Sequence, residues 1–369
     1  MLKKCFKAAV AVSLCMALLS GCGQTKVETT NETSAEGIEP ESAEADALSE
    51  NEQKTDESAT KDGQGSFDTG EQDDAVIRVG SLKGPTTIGI VNLMKDFEDG
   101  TSDGNYEFEM SAMPDEIAAK LVSGDIDIAL IPANLASVLY NKTEGKISLV
   151  DINTLGVLYC VSGDESIDGM KDLAGKEVLM TGQGTIPEYA FKYLCKKYEV
   201  SDAVPVFKSE ATEIAATLKE DPSKVAILPQ PFATVAAVQN ENLHINFSLT
   251  GEWDKTTDES KFLTGVTVVR NDFLNEHPDA VRLFLDEHEK SATFAQTKYE
   301  ETAELIVNYG IIENKEVAQL ALPGCNIVCI SGEEAKTYME GFLQVLYDQD
   351  QKSVGGKLPG DDFYDNFSK

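Results

Sequence analysis

The stretch VIRVGSLKGPTTIGIVNLMKDF, residues 76–97, has the pattern of a strand, a loop and a helix. A β-branched run ends at Gly80, and the loop after it leads into Pro85. Apolar residues then recur at helical spacing as far as Phe97. Pro85 suits the first position of a helix, because a backbone N–H has no intrahelical partner there. The pattern therefore predicts a helix that begins at Pro85.

The start of this predicted helix is a candidate binding site. The N–H groups of Thr86, Thr87 and Ile88 would have no partner within the helix and would point out of its first turn. Together with the helix dipole, such donors bind carboxylates, sulfonates or polar ring atoms. An ordinary strand–loop–helix connection shows the same pattern, so the stretch needs support from the rest of the chain.

The N-terminal residues have the pattern of a bacterial export signal. A short basic region, Met1–Lys4, precedes the apolar run Ala8–Leu19. That run is too short to span a bilayer but has the length of a signal-peptide core. It ends in LSGC, residues 19–22, which resembles a lipobox. We therefore expect residues 1–21 to be a signal peptide and Cys22 to carry a lipid on the outer face of the cytoplasmic membrane.

Residues 22–74 differ in composition from the rest of the chain. Between residues 27 and 74 there are 16 acidic residues, two lysines and a single aromatic residue, Phe67. Such a segment cannot bury enough apolar surface to offset the entropy lost on folding. We predict that this region, which begins with the lipidated cysteine, is an acidic disordered tether.

The whole chain has a formal net charge of −33 at pH 7. The tether carries less than half of this charge, so residues 75–369 are acidic as well. Nucleic acid attracts basic surfaces. We therefore predict no nucleic-acid partner.

Four cysteines lie in this body of the chain: Cys160, Cys195, Cys325 and Cys329. The sequence shows no CxxC pair and no His/Cys cluster, so it predicts no metal site. Cys325 and Cys329 could form a disulfide outside the cell or be buried as small apolar residues. The chain also shows no P-loop pattern, and we predict no cofactor.

Residues 75–369 form a segment that is too long to fold around one small core, which suggests two lobes. The opening pattern recurs further along: the strand Glu177–Met180 is followed by the loop and helix start TGQGTIPE, residues 181–188. The glycines of this loop permit close backbone approach to a ligand. Thr185 and Glu188 have the spacing of a capping box at the helix start.

A second pair of segments supports the repeat. IALIPANLA, residues 128–136, and VAILPQPFA, residues 225–233, each indicate an apolar strand that ends in proline. A polar residue follows each strand, at the sheet edge where open α/β proteins bind ligands. Two facing lobes would bring the four segments together. The predicted ligand-binding residues are Lys83, Gly84, Pro85, Thr86, Thr87, Asn134, Gly182, Gln183, Gly184, Thr185 and Gln230.

Aromatic and histidine residues leave more than one interpretation open. Aromatic side chains could stack on a planar ligand, although core packing is their commoner role. The aromatic candidates are Tyr159, Tyr189, Phe232 and Trp253. Among the histidines, we expect His277 and His288 to lie on a surface helix, and His244 to follow the second-lobe repeat. No nucleophile–base pair can be argued from these spacings.

Several segments in the same order resemble ABC-transporter substrate-binding proteins. The nearest branch binds nitrate, alkylsulfonates, taurine and thiamine-precursor pyrimidines. The segments that carry the resemblance are the lipobox, GSLKGPT at 80–86, GDIDIA at 124–129, VTVVRNDFLNEHPDAV at 266–281, and GGKLP with FY at 355–364.

The resemblance implies a type II periplasmic-binding-protein fold, in which two α/β lobes on a hinge hold the ligand in their cleft. We expect residues 75–161 to form the first part of lobe 1 and residues 162–260 to form lobe 2. Residues 261–369 would return to lobe 1 and add the C-terminal helices. The hinge would lie near Val161–Asp164 and Gly251–Gly265.

The resemblance also implies a function. The protein would be a monomeric, lipid-anchored solute-binding component of an ABC importer, working with a permease and its cytoplasmic ATPase. Its ligand would be a planar heterocycle such as a pyrimidine, or a sulfonate-like anion, although the acidic charge would slow an anion's approach. The alternatives are an enzyme of the same fold acting on a small metabolite, and a sensor or adhesion lipoprotein without transport.

Overall fold

The computed structural model describes residues 75–364. The predicted signal peptide, the lipidated Cys22 and the acidic tether lie outside the described residues. Within the described range, no helix has both the length and the apolar character needed to cross a membrane.

The strands and helices alternate along most of the chain, as expected for an α/β protein. The strands are β1 (Val76–Leu82), β2 (Asn105–Ser111), β3 (Ile128–Pro132), β4 (Ile147–Leu155), β5 (Leu158–Ser162), β6 (Glu177–Met180), β7 (Val204–Phe207), β8 (Val225–Pro229), β9 (His244–Ser248), β10 (Leu263–Arg270) and β11 (Ile327–Ile330). The helices are α1 (Pro85–Ile88), α2 (Val91–Glu98), α3 (Pro114–Ser123), α4 (Ala133–Lys142), α5 (Ile186–Lys197), α6 (Ala211–Glu220), α7 (Phe232–Gln239), α8 (Leu249–Asp254), α9 (Asn271–Glu276), α10 (Pro278–Thr297), α11 (Tyr299–Asn308), α12 (Lys315–Ala321) and α13 (Gly332–Gln349).

The strands form two sheets, one in each lobe. The first sheet has the order β11-β4-β10-β3-β1-β2, and the second has the order β7-β6-β8-β5-β9. In the first sheet, β1 is parallel to β2 and β3, and β10 is antiparallel to β3. In the second sheet, β6 is parallel to β7 and β8, and β5 is antiparallel to β8. The two lobes therefore share one strand arrangement, and the predicted two-lobed α/β fold is confirmed.

The chain crosses between the sheets in two places. The first crossing is the link Gly156–Val157 between β4 and β5, so the hinge expected near Val161–Asp164 is wrong. Val161 already pairs with β8 and β9 inside the second sheet. The second crossing joins α8 to β10 through residues 255–262 and lies within the expected range Gly251–Gly265.

A buried ion cluster ties together three strands of the first sheet. Asp127, just before β3, is fully buried. Its carboxylate accepts hydrogen bonds from the Arg78 guanidinium at 2.6 and 2.8 Å and from the Arg270 guanidinium at 2.9 Å. Burial raises the pKa of this carboxyl group, but the hydrogen bonds from the two arginines outweigh burial and hold the pKa below its usual value.

Aromatic side chains connect the apolar cores of the two lobes. The ring centroid of Trp253, on α8, lies 5.6 Å from that of Phe262 and 5.8 Å from that of Phe342 on α13. Trp253 is fully buried, and its indole N–H donates to Ser260 at 2.9 Å. Trp253 is thus a core residue beside the second crossing and does not face a ligand cleft.

Two predicted helices are split in the structure. The helix expected from Pro85 divides into α1 and α2 at Gly89, where a Cβ would lie 3.1 Å from His288 Nε2. The surface helix expected to carry His277 and His288 is divided into α9 and α10, and Pro278 begins α10 because proline has no N–H to continue α9.

Candidate functional site

The four predicted ligand segments lie at the carboxyl ends of two pairs of neighbouring parallel strands. In the first sheet, Lys83–Thr87 follows β1 and Asn134 follows the adjacent strand β3. In the second sheet, Gly182–Thr185 follows β6 and Gln230 follows the adjacent strand β8. The structure therefore brings the candidates of each lobe to one sheet edge, where α/β proteins bind ligands.

The polar groups of the loop after β1 form more hydrogen bonds within the loop than the sequence predicted. Helix α1 has four residues, so it contributes little dipole, and the Thr87 N–H donates to Gly84 O at 3.1 Å. The Thr86 hydroxyl donates to Leu82 O at 3.0 Å, and both threonines are buried. The expectation of a long helix from Pro85 with a free Thr87 N–H is therefore wrong.

Two residues of this loop remain open to solvent. The Lys83 side chain is exposed and takes part in no ion pair among residues 75–364. Gly84 has a φ of 143°, and no heavy atom lies within 4 Å of the place where its Cβ would be. A ligand could therefore approach the backbone closely at Gly84.

The loop after β6 also satisfies its own polar groups. The Thr185 hydroxyl donates to Gly182 O at 2.7 Å, and the Gly184 N–H donates to Glu188 Oε2 at 2.6 Å. The capping box predicted for Thr185 and Glu188 is wrong, because the Glu188 carboxylate reaches Gly184 instead and the Thr185 side chain does not cap α5. Gln183 and Thr185 are exposed.

The Glu188 carboxylate stays ionised beside this loop. Burial raises its pKa, but the ion pair with Lys192 and the hydrogen bond from the Gly184 N–H outweigh burial and lower the pKa overall. A negative charge therefore occupies the start of α5, where it disfavours the binding of an anion.

Gln230 does not face open solvent. Its side chain is 5% exposed, and its Oε1 accepts from the Thr234 hydroxyl at 2.9 Å. Its Nε2 lies beside Gly324, which belongs to the 3₁₀ helix Leu322–Cys325 of lobe 1. The Tyr159 hydroxyl donates to Gly324 O at 2.9 Å. Gln230 and Tyr159 thus contribute to a contact between the lobes.

A second contact between the lobes lies near α4 and α5. The Asn134 amide donates to Ser353 O at 3.3 Å, so it is engaged by the C-terminal region. On the other side, the Tyr189 hydroxyl donates to Asp350 Oδ2 at 3.1 Å, and Gln349 Nε2 donates to Tyr189 O at 3.0 Å. The sequence reasoning missed residues 349–353, because no strand end or glycine loop marks them.

Three potential metal ligands meet inside lobe 1, and the sequence did not predict them. His288 Nδ1 lies 3.0 Å from Asp151 Oδ2 and 3.9 Å from Cys329 Sγ. The expectation that His288 lies on a surface helix is wrong, because its side chain is fully buried. The three residues are 137 and 41 positions apart, beyond any motif spacing. They form a polar cluster among β4, α10 and β11, in which Asp151 and His288 are buried and Cys329 is partly buried.

The four cysteines of the described range are not in disulfides. Cys325 is fully buried, and burial raises the pKa of its thiol to about 12. Of the two roles left open for Cys325 and Cys329, the structure shows Cys325 as a buried apolar residue.

Comparison with known proteins identifies the family of the chain. The family model described as NMT1/THI5 like matches residues 114–302, which is more than half of the chain. No curated protein matches the chain. The crystal structure of an ABC transporter from Parabacteroides distasonis is 25% identical, with a TM-score of 0.68, and the match covers 79% of this chain and 99% of that chain.

Two more distant solved structures show the same fold. The ligand-binding component of an ABC-type import system from Staphylococcus aureus, with zinc bound, has a TM-score of 0.57 at 14% identity, covering 79% of this chain and 96% of that chain. The periplasmic aliphatic sulphonate-binding protein SsuA from Escherichia coli has a TM-score of 0.60 at 10% identity, covering 77% and 92%. The periplasmic-binding-protein fold expected from the sequence is confirmed.

Proposed function

The chain belongs to the NMT1/THI5-like family, and on that premise we propose that it is the extracytoplasmic solute-binding component of an ABC importer. It captures a small organic molecule between its two lobes and performs no chemistry on it. The observation that carries this proposal is the shared strand order, which brings two polar segments to one sheet edge in each lobe. A ligand that touches both edges favours the closed arrangement through its differential affinity.

The proposal includes a place in the cell and a partner. Cys22 carries the lipid, and the acidic tether holds the two-lobed body near the outer face of the cytoplasmic membrane. The protein acts as a monomer and delivers its ligand to a permease that has a cytoplasmic ATPase. The sequence pattern of residues 1–74 supports the anchor, and the names of the similar structures support the partner.

We assign two roles to the predicted site residues. The members at the loop surfaces contact the ligand directly, and the buried or engaged members fix the shape of those loops. The direct contacts are Lys83, Gly84, Pro85, Gln183, Gly184 and Thr185. The shaping residues are Thr86, Thr87, Asn134, Gly182 and Gln230.

The chemistry of the loops favours a neutral planar heterocycle, such as a pyrimidine, over a sulfonate-like anion. The Glu188 carboxylate already accepts from the Gly184 N–H, so an anion there would meet a like charge. The single-turn helix α1 offers little dipole on the other side. The exposed Lys83 is the feature that favours the anion instead.

Replacing Gln183 with Ala should raise the dissociation constant about tenfold, because an exposed amide that bonds the ligand contributes about 1 kcal/mol or somewhat more. Asn134→Ala should weaken binding as well, since the α4 start loses its bond to Ser353. Isothermal titration calorimetry with a bound pyrimidine measures both effects. Asn275→Ala, an exposed amide on α9, is the control and should leave affinity unchanged. Unchanged affinity in both site variants would remove this site assignment.

A further inference from the structure

Residues Gln349–Ser353, which we term the C-terminal latch, lie between the first turns of α4 and α5. These are the two helices that begin beside the candidate segments of lobe 1 and lobe 2. The latch therefore lies beside both walls of the proposed cleft.

The attachment of the latch region to lobe 1 is extensive and partly buried. Asn134 donates to Ser353 O, as described above. The Ser137 hydroxyl donates to Val354 O at 2.8 Å, and the Asn141 amide donates to the same oxygen at 2.9 Å. Ser137 and Val354 are fully buried. This side of the latch is consequently a fixed part of lobe 1.

The attachment of the latch to lobe 2 is smaller and joins exposed latch residues to the buried Tyr189. It consists of the hydrogen bonds that join Gln349 and Asp350 to Tyr189. Both latch residues are exposed, so water can replace these bonds when the lobes separate. Asp350 Oδ1 accepts from the Lys352 N–H at 3.0 Å, which leaves Oδ2 aimed at Tyr189.

Tyr189 also connects the latch to the ligand loop. It follows Glu188 directly on α5, and the Glu188 carboxylate holds the Gly184 N–H of the loop after β6. A shift of the first turn of α5 would therefore move the loop and the latch contact together.

We propose that the C-terminal latch forms a third wall of the ligand cleft and holds the lobes closed through Tyr189. This inference rests on the proposed function, since a latch has meaning only if the lobes open. Opening breaks the two bonds to Tyr189, while the bonds to α4 persist. The Phe342–Trp253 contact lies beside the second crossing, close to the hinge, so it can persist during the motion.

The test is Tyr189→Phe in the full chain, which removes the hydroxyl and keeps the ring. Tyr193→Phe is the matched control, because its hydroxyl lies one turn further along α5 and contacts the Thr256 hydroxyl just after α8, at 3.2 Å, instead of the latch. Spin labels on ketone-bearing residues at the exposed positions Val122 and Val204 report the distance between the lobes without using cysteine.

In the ligand-free protein, Tyr189→Phe should raise the open-to-closed ratio about fivefold, the equivalent of one net hydrogen bond of about 1 kcal/mol. Gln349→Ala should shift the ratio in the same direction, and Tyr193→Phe should not. An unchanged distance distribution in Tyr189→Phe, or an equal shift in both tyrosine variants, would overturn the latch. This readout needs no ligand, so a failed ligand assignment and a failed latch are distinguishable.

Discussion

Asp127→Asn should lower the free energy of unfolding by about 3 kcal/mol. The carboxylate is fully buried and is the shared acceptor of Arg78 and Arg270. Asparagine has nearly the same shape, but it leaves two guanidinium groups without their counter-charge. Breaking a buried pair costs about 3–5 kcal/mol, and the partial exposure of the arginines places this case at the lower end. Denaturant unfolding followed by circular dichroism measures the change.

A neighbouring carboxylate provides the control for this prediction. Asp125 is exposed, so Asp125→Asn should change stability by less than about 0.5 kcal/mol. A similar small effect in Asp127→Asn would show that the cluster does not stabilise the sheet.

The same cluster fixes the sign of a pH dependence. Because the pKa of Asp127 is lower in the folded protein, its contribution to stability is complete above the unfolded-state pKa of about 3.9. The contribution is lost as the pH falls through the folded-state pKa. The stability difference between the parent and Asp127→Asn should therefore shrink below about pH 4.

Trp253→Ala should lower the free energy of unfolding by about 4 kcal/mol. The indole is fully buried and touches aromatic rings from the second crossing and from α13. Its removal leaves a cavity that these rings cannot fill, and such truncations cost about 3–5 kcal/mol. The hydrogen bond to Ser260 is lost as well.

Trp253→Phe separates the packing from the hydrogen bond. It keeps an aromatic ring beside Phe262 and Phe342, so we expect less than half of the loss seen with alanine. The loss of stability in both variants is measured from the midpoints of denaturant unfolding, provided that the slope of unfolding free energy against denaturant concentration is the same. An alanine variant as stable as the parent would contradict the view that one core connects the lobes.

Much of the fold could be predicted from sequence because its signals are local. The apolar runs that end in Pro132 and Pro229 form β3 and β8, and the strand predicted at Glu177–Met180 is β6. The repeat of strand, glycine loop and proline-led helix then indicated two lobes. These signals depend on neighbouring residues, which a single sequence displays.

The errors arose where distant parts of the chain meet. Gly89 interrupts the predicted helix at the place where the His288 ring packs against it. The buried His288 ring in turn contacts Asp151, which is far away in the sequence. Gln230 fits the pattern of a ligand residue, but Gly324 of the other lobe lies against it. No local pattern reveals such tertiary neighbours.

The candidate site was predictable in position but not in hydrogen bonding. The strand ends fixed where the loops lie, whereas the polar groups of those loops had several possible partners. The structure shows that the Glu188 carboxylate accepts a hydrogen bond from the Gly184 N–H. It also shows that the Thr86 hydroxyl donates to Leu82 O. Of the two ligand classes expected from the sequence, these internal partners favour the neutral planar heterocycle over the sulfonate-like anion.

The most direct test of the central claim is a thermal-shift screen of the purified protein against pyrimidines, nucleosides, amino acids, sulfonates and nitrate. A native-state ligand at a hundredfold excess over its dissociation constant stabilises by about 2.7 kcal/mol. We predict a clear rise in melting temperature with a neutral planar heterocycle, and the loss of most of that rise in the double variant Asn134→Ala/Gln183→Ala. An equal rise in the parent and the double variant would contradict capture of the ligand at this cleft.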